Sequence, residues 1–166
     1  MSDREIPKPR RTKAGIRYSN LGQFRITAVQ DEPPPPMVLD TPDQVAEAWR
    51  IVVAPMPWFD PEKEHMVVFV LNTRLKLKGW NVVSVGSNSE TVCHPREVLR
   101  PVLVAAGHGF VVAHNHPSGD PSPSNADREV TNRLRDSAAL LQVRFIDHVV
   151  VGSNGRSFSF REAGLV

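Results

Sequence analysis

The chain has 166 residues, enough for one domain of ordinary size with a sizeable hydrophobic core. Hydrophobic residues make up 40% and charged residues 23%, and the net charge of +2 is too small to indicate a polyanionic partner by itself. The single cysteine, Cys93, excludes a disulfide scaffold and a zinc site built from CxxC pairs. The N-terminus has no apolar leader and no apolar run approaches about 18 residues, so we expect a soluble, cytoplasmic protein without a membrane partner.

Positive charge is concentrated at the N-terminus. Residues 1–25 contain seven basic and two acidic side chains, a net charge of +5, which leaves −3 for the remaining 141 residues. Few apolar residues lie among these charges and four prolines follow at 33–36, so residues 1–38 are predicted to be a disordered basic arm and a stiff linker. A short strand is expected at 23–29. The arm is either a solvated tail or a segment that makes weak contact with nucleic acid.

From residue 39 onward the pattern predicts alternating helices and strands. Thr41 and Gln44 fit a capping box and Pro42 suits the first helical position, which predicts a helix over 42–53. Further helices are predicted at 95–106 and 126–141, and strands at 66–71, 79–85, 110–113, 145–151 and 157–160. Pro101 should kink or split the second helix. This alternation is typical of an α/β domain with a central sheet.

The segment from His114 to Asp127 has the pattern of a metal site. His114 and His116 follow the predicted strand two residues apart, so both side chains should point to the same side. A loop rich in proline and serine then turns the chain back, and Asp127 falls in the first turn of the next helix, where it can face both histidines. Two imidazoles and one carboxylate leave a fourth tetrahedral position for water, which is the arrangement of a catalytic zinc.

Each part of this pattern also has a simpler interpretation. A single histidine on a strand more often packs in the core or lies on the surface, and Ser124 to Asp127 is also a plain capping box. The combination of the two histidines, the loop and the capping box is not required by capping, and it favours a metal site. His148, in the predicted strand 145–151, is interpreted as a core histidine or one that supports the ligands from behind.

Two other classes of enzyme, the HNH nucleases and the zinc deaminases, do not fit the sequence. The letters HNH at 114–116 do not match the nuclease motif of that name, whose residues are spread over a much longer ββα unit. The zinc deaminases need a P-C-x-x-C pair, which a chain with one cysteine lacks.

The spacing of His114, His116, Ser124 and Asp127 resembles the JAMM (MPN+) metalloprotease motif. The longer stretch HNHPSGDPSPSNAD, with VCHPREVL before it and FIDHVVVG after it, resembles the bacterial RadC-like branch, and the similarity covers roughly residues 40–166. The resemblance implies a cytidine-deaminase-like α/β/α sandwich with a mixed central sheet over 39–166. It also implies a bound zinc ion and hydrolysis of a peptide or isopeptide bond in a peptide or protein substrate.

The resemblance further implies a glutamate that acts as general base, just before a buried strand upstream of the two histidines. Glu64 fits that position, and Glu62, two residues earlier on the same face, is the alternative. Ser124 would donate a hydrogen bond to the developing oxyanion, unless its hydroxyl is committed to capping the helix.

Two other functions are compatible with the sequence. The family carries a DNA-repair label, so a DNA-associated protein is one alternative, although residues 1–38 do not resemble the helix–hairpin–helix region of longer RadC-like proteins. The second alternative is a non-catalytic module in which zinc is structural or absent.

Overall fold

The computed structural model describes residues 32–86 and 93–166, together with the backbone of two short strands, β1 (Arg11–Thr12) and β2 (Gly15–Ile16), which pair antiparallel. The strand predicted at 23–29 and most of the predicted basic arm lie outside these residues. In the described parts of the chain, no helix has the length and apolar character needed to cross a membrane.

Five further strands form one mixed sheet. They are β3 (His65–Leu71), β4 (Leu77–Val85), β5 (Gly109–Asn115), β6 (Arg144–Val151) and β7 (Ser157–Ser159). Their order is β4–β3–β5–β6–β7; β5 and β6 are parallel, and the other neighbours in this sheet are antiparallel. Every residue of β3 and β5 is buried because these strands lie inside the sheet with helices on both faces, which accounts for the continuous apolar run of β3.

Three helices cover the sheet: α1 (Pro42–Val52), α2 (Pro95–Val104) and α3 (Asn125–Leu140). On one face, Trp49 of α1 shares a buried cluster with Phe69 of β3. On the opposite face, Leu134 of α3 shares a second cluster with Val112 of β5, and α2 contributes to the same cluster. The prediction of an α/β domain with a mixed sheet between helices is confirmed.

The sequence predicts the start of α1 correctly, but the effect of Pro101 on α2 differs from the prediction. Helix α1 begins as predicted because Thr41 Oγ1 accepts from the N–H of Gln44 and the Gln44 side chain accepts from the N–H of Thr41. Pro101 does not split α2, contrary to that part of the prediction. It lies near the end of the helix, where it removes a single N–H that would otherwise face the carbonyl of Glu97.

The topology brings distant residues to one edge of the sheet. Since β5 and β6 are parallel and α3 joins them, the loop after β5 and the N-terminus of α3 lie at the carboxyl ends of both strands, where α/β sheets form ligand crevices. Strand β3 is antiparallel to β5, with Met66 opposite His114, so the residues just before β3 reach the same edge.

Candidate metal centre

The structure brings His114, His116 and Asp127 together at this edge. The two Nε2 atoms of the histidines are 3.0 Å apart. Asp127 Oδ1 is 3.2 Å from His114 Nε2, and Asp127 Oδ2 is 3.5 Å from His116 Nε2. Among the residues described, this is the one group of three His, Cys, Asp or Glu side chains whose ligand atoms lie close enough together, all within 4.8 Å, to hold a metal ion.

Strand β5 is longer than predicted at its C-terminal end. Strand β5 runs two residues beyond 110–113, so His114 is a fully buried strand residue and His116 is the first residue after the strand. His116 Nδ1 is 2.7 Å from the carbonyl oxygen of Asp120. A carbonyl oxygen only accepts, so Nδ1–H donates, and Nε2 of the neutral ring presents its lone pair to His114 and Asp127.

The loop that carries Asp120 is fixed by the turn between β6 and β7. The carbonyl of Gly119 accepts hydrogen bonds from the N–H of Ser153 at 2.9 Å and from the Arg156 guanidinium at 3.2 Å. Gly119 has a φ of +75°, and a Cβ atom there would lie 2.6 Å from Ser153 Oγ, so a side chain does not fit. This turn therefore helps to hold the carbonyl group that orients His116.

Asp127 takes part in the helix cap and in the cluster at the same time. Ser124 is the N-cap of α3, and its Oγ accepts from the N–H of Asp127 at 3.1 Å. Asp127 Oδ2 accepts from both the N–H and the hydroxyl of Ser124, each at 2.7 Å, while Oδ1 stays directed at His114. The capping box is therefore formed, and it is compatible with a metal-ligand role for Asp127.

Charge at the cluster is set by this carboxylate. Burial alone would raise the pKa of Asp127, but hydrogen bonds with His114, His116 and Ser124 lower that pKa well below its usual range. The hydrogen bond with Asp127 raises the pKa of His116, against the opposing effect of burial. The cluster thus favours a positive charge at the point where the two ring nitrogens and the carboxylate meet.

The donor set fits a zinc ion. A tetrahedral ion about 2.0–2.1 Å from each ligand separates the ligand atoms by roughly 3.3–3.4 Å. The separations among His114, His116 and Asp127 are 3.0, 3.2 and 3.5 Å. Imidazole nitrogen and carboxylate oxygen are common zinc ligands, and acceptor atoms that converge on one point need a proton or a cation between them.

Glu64 lies beside the cluster, directly before β3. Its Oε1 is 4.0 Å from His114 Nε2, and the residue is 8% exposed. Asn115 holds the backbone around it, since Asn115 Oδ1 accepts from the N–H of His65 at 2.9 Å and Nδ2 donates to the carbonyl of Lys63 at 2.9 Å. Glu62, the sequence alternative, is exposed in the turn before β3. Of the two carboxylates, Glu64 is the one that lies beside His114.

A further set of buried groups lies behind His114. His148 Nε2 is 2.9 Å from His114 Nδ1, and His148 is fully buried. Burial, together with the neighbouring His114, lowers the pKa of His148 well below its usual range. Thr131 Oγ1 is 2.7 Å from His148 Nδ1 and 2.6 Å from the carbonyl oxygen of Asp127.

Asn115 and Thr131 are two residues of the site that the sequence did not predict. Asn115 lies between the two histidines on a strand, so alternation alone places its side chain opposite theirs, towards whatever adjoins the strand there. Thr131 follows Asp127 by one helical turn, which puts both on one face of α3. These two signals were available, but the partners they contact could be known only from the fold.

The chain is similar to a known family of protein domains. Residues 39–165 match the model of the RadC-like JAB domain family. A UPF0758 protein of Pelodictyon phaeoclathratiforme is 42% identical over 107 residues, which cover 64% of this chain and 48% of that protein. A UPF0758 protein of Thermotoga maritima is 45% identical over 103 residues, which cover 62% of this chain and 46% of that protein.

The chain spans about half the length of the curated relatives that it matches. The family match, by contrast, extends over well more than half of this chain and includes His114, His116 and Asp127. The chain therefore belongs to the RadC-like JAB domain family.

Proposed function

We propose that this chain is a zinc-dependent hydrolase that cleaves peptide or isopeptide bonds. The observation that carries the proposal is the position of the Glu64 carboxylate, 4.0 Å from His114 Nε2, beside a group of three zinc-type ligands. Structural zinc sites are closed by four protein ligands, whereas catalytic sites use three and keep one position open. A buried carboxylate next to three ligands is what a general base for water requires.

The roles of the side chains follow from this geometry. His114, His116 and Asp127 would hold the zinc, which when bound supplies a Lewis acid that activates water and polarises a carbonyl group. Glu64 would accept the proton of the attacking water and return it to the departing amine, so that the C–N bond breaks and a carboxylic acid and an amine leave. The Glu64 and His116 side chains keep 10% and 15% of their surface exposed, so the cluster reaches solvent at this edge through these two side chains.

Ser124 is the candidate donor to the oxyanion. Its hydroxyl proton is directed at Asp127 Oδ2, while its oxygen accepts from the N–H of Asp127. Donation to a substrate would require the hydroxyl to turn away from the carboxylate, which it could do while the oxygen continues to cap α3. The supporting observation is that this hydroxyl adjoins the ligand cluster, where negative charge would develop.

The test is a cleavage screen with the full chain loaded with zinc, using internally quenched peptides and isopeptide-linked peptides. We expect cleavage by the wild type and a loss of about 10²–10⁴ in rate for Glu64→Gln, because glutamine matches the shape of glutamate but cannot accept the proton. Glu64→Gln should keep its zinc. Glu62→Gln is the matched control, and it should cleave at the wild-type rate.

Two results would contradict the proposal in different ways. An active Glu64→Gln together with an inactive Glu62→Gln would assign the general base to the other carboxylate. A folded, zinc-loaded wild type that cleaves no member of either set would refute peptide and isopeptide hydrolysis and favour a non-catalytic metal-binding module.

A further inference from the structure

We infer that Thr131 and His148 are positioning residues that fix the ring of His114 in the one tautomer able to bind a metal through Nε2. The inference rests on the metal-binding part of the proposed function and not on hydrolysis. It assigns a role to two buried residues that lie behind the ligand cluster and do not face the open side of the site.

The fold places the three groups in a row. Strands β5 and β6 are parallel, with Val112 paired to His148, so the His148 ring lies behind that of His114 at a centroid distance of 4.9 Å. The His148 ring also stacks on the fully buried Phe160 at 4.8 Å with an interplanar angle of 11°. Thr131 reaches His148 from α3. The position of each ring is therefore set by packing within the core.

The available donors and acceptors determine the direction of the hydrogen bonds between Thr131, His148 and His114. The threonine hydroxyl has one proton, and the carbonyl oxygen of Asp127, 2.6 Å away, can only accept, so Thr131 donates to Asp127. Thr131 Oγ1 then accepts from His148 Nδ1–H at 2.7 Å. A neutral imidazole has one donor, so His148 Nε2 accepts, and the partner 2.9 Å away is His114 Nδ1–H.

His114, at the end of this row, is one of the three residues that could hold a metal ion. With its proton on Nδ1, the neutral ring of His114 has a lone pair on Nε2, the atom that lies 3.2 Å from Asp127 Oδ1. Without a metal, the Asp127 carboxylate favours a proton on that same Nε2, so Thr131 and His148 act through Nδ1 against the carboxylate. If the row ran the other way, His148 would donate from Nε2, His114 Nδ1 would accept, and His114 Nε2 would carry a proton and could not ligate. The direction in which the Thr131 hydroxyl donates is fixed, because the carbonyl oxygen of Asp127 can only accept.

Thr131 also connects Asp127 with His114. Its hydroxyl donates to the backbone carbonyl of Asp127 on α3 and accepts from His148 on β6, which in turn contacts His114 on β5. His116 is held separately, by the carbonyl of Asp120. Loss of the hydroxyl should therefore disturb His114 and leave the tautomer of His116 unchanged, which supplies an internal control.

The test compares Thr131→Val, which keeps the branched shape and loses the hydroxyl, with Thr131→Ser, which keeps a hydroxyl able to bond the carbonyl four residues earlier. Ring nitrogens of ¹⁵N-histidine-labelled full chain are assigned by long-range ¹H–¹⁵N correlation in metal-free protein at alkaline pH, where neutral imidazole prevails. The affinity for Zn²⁺ alone is measured by competition with a chromophoric chelator.

We expect His114 to carry its proton on Nδ1 in the wild type and in Thr131→Ser, and to lose this preference in Thr131→Val. Supporting groups behind a ligating histidine typically contribute about 10–100-fold to metal affinity, so Thr131→Val should bind Zn²⁺ weaker by that factor and Thr131→Ser should stay near the wild type. If Thr131 only filled space, Thr131→Val would leave the tautomer of His114 unchanged, and Thr131→Ser would have no loss to restore.

A wild-type spectrum with the His114 proton on Nε2 would overturn the inference, and that result does not depend on whether any variant folds. An unchanged tautomer and Zn²⁺ affinity in Thr131→Val would overturn it as well. Neither measurement involves a substrate. A chain that cleaves no peptide but shows the expected loss in Thr131→Val would refute the proposed hydrolysis and leave this inference standing.

Discussion

The carboxamide of Asn115 bridges the backbone on both sides of Glu64. Its Oδ1 accepts from the N–H of His65 and its Nδ2 donates to the carbonyl of Lys63, both at 2.9 Å. The carbonyl of Glu64 itself accepts from the N–H of Gly86 at 2.8 Å. Asn115 therefore helps to hold the backbone of Glu64 beside the cluster.

Asn115→Ala should lower the free energy of unfolding by about 1–3 kcal/mol, because the buried N–H of His65 is left without a partner. Chemical denaturation of the full chain measures this. Asn132→Ala, an exposed substitution on α3, is the control and should stay within about 0.5 kcal/mol of the wild type. Equal stability of the two variants would contradict this account of the bridge.

Ser124→Ala removes both halves of the interaction between the N-cap hydroxyl and Asp127. We expect a loss of roughly 0.5–2 kcal/mol in stability from the lost cap, and weaker binding of Zn²⁺ because Asp127 Oδ2 loses a donor that orients it. Ser137→Ala, a half-buried position at the other end of α3, is the control. Wild-type stability and zinc affinity in Ser124→Ala would contradict this account of the cap.

The sequence predicts those features that short-range chemistry decides. The starts of α1 and α3 are correct to within one residue, because the capping boxes at Thr41 and Ser124 are formed by residues three apart. The end of β5 is not, because His114 and Asn115 remain in the strand through pairing with β3 and β6, which come from elsewhere in the chain. The residue types at 114–116 do not indicate that β5 pairs there with β3 and β6.

The same division applies to the candidate site. The spacing of His114, His116 and Asp127 was sufficient to predict that they come together, since a strand, a loop and a helix start fix their relative positions. The link from His148 to Thr131 spans 17 residues, and the bond from Asn115 to Lys63 spans 52. Such contacts depend on strand order and register, so only the folded chain identifies these partners.

The stability of the metal-free protein should depend on pH through His116. Its pKa is raised in the folded state by the hydrogen bond with Asp127, so its stabilising effect is fully present below the unfolded value of about 6.5 and is lost as the pH rises through the folded pKa. We therefore expect the stability advantage of the wild type over His116→Ala to shrink as the pH rises above about 6.5.

The difference between variant and wild type is the correct readout, since other groups titrate too. His148 has the opposite sign: its lowered pKa means that stability is lost as the pH falls below about 6.5. Thermal midpoints of chelator-treated protein across neutral pH measure the difference. A stability difference that stays constant or grows with pH would contradict the pairing of His116 with Asp127.

Deletion of residues 1–25 tests the basic arm, for which we propose weak contact with nucleic acid. The segment carries +5, so any binding to DNA should be independent of sequence and steeply reduced by salt. We expect the truncated chain to keep its zinc and its thermal midpoint and to lose the electrophoretic shift of the intact chain at about 50 mM salt. No shift with the intact chain would make the arm a solvated tail, and unfolding on truncation would place it within the fold.

We expect His114, His116 and Asp127 to bind one zinc ion per chain. Diffraction from crystals of the full chain, collected on both sides of the zinc absorption edge, measures this. We expect one anomalous peak per chain, in contact with all three side chains and lost in the double variant His114→Ala, His116→Ala, while His108→Ala, an exposed histidine, keeps it. Zinc at full occupancy in that double variant, or a wild-type peak away from these three residues, would contradict the account.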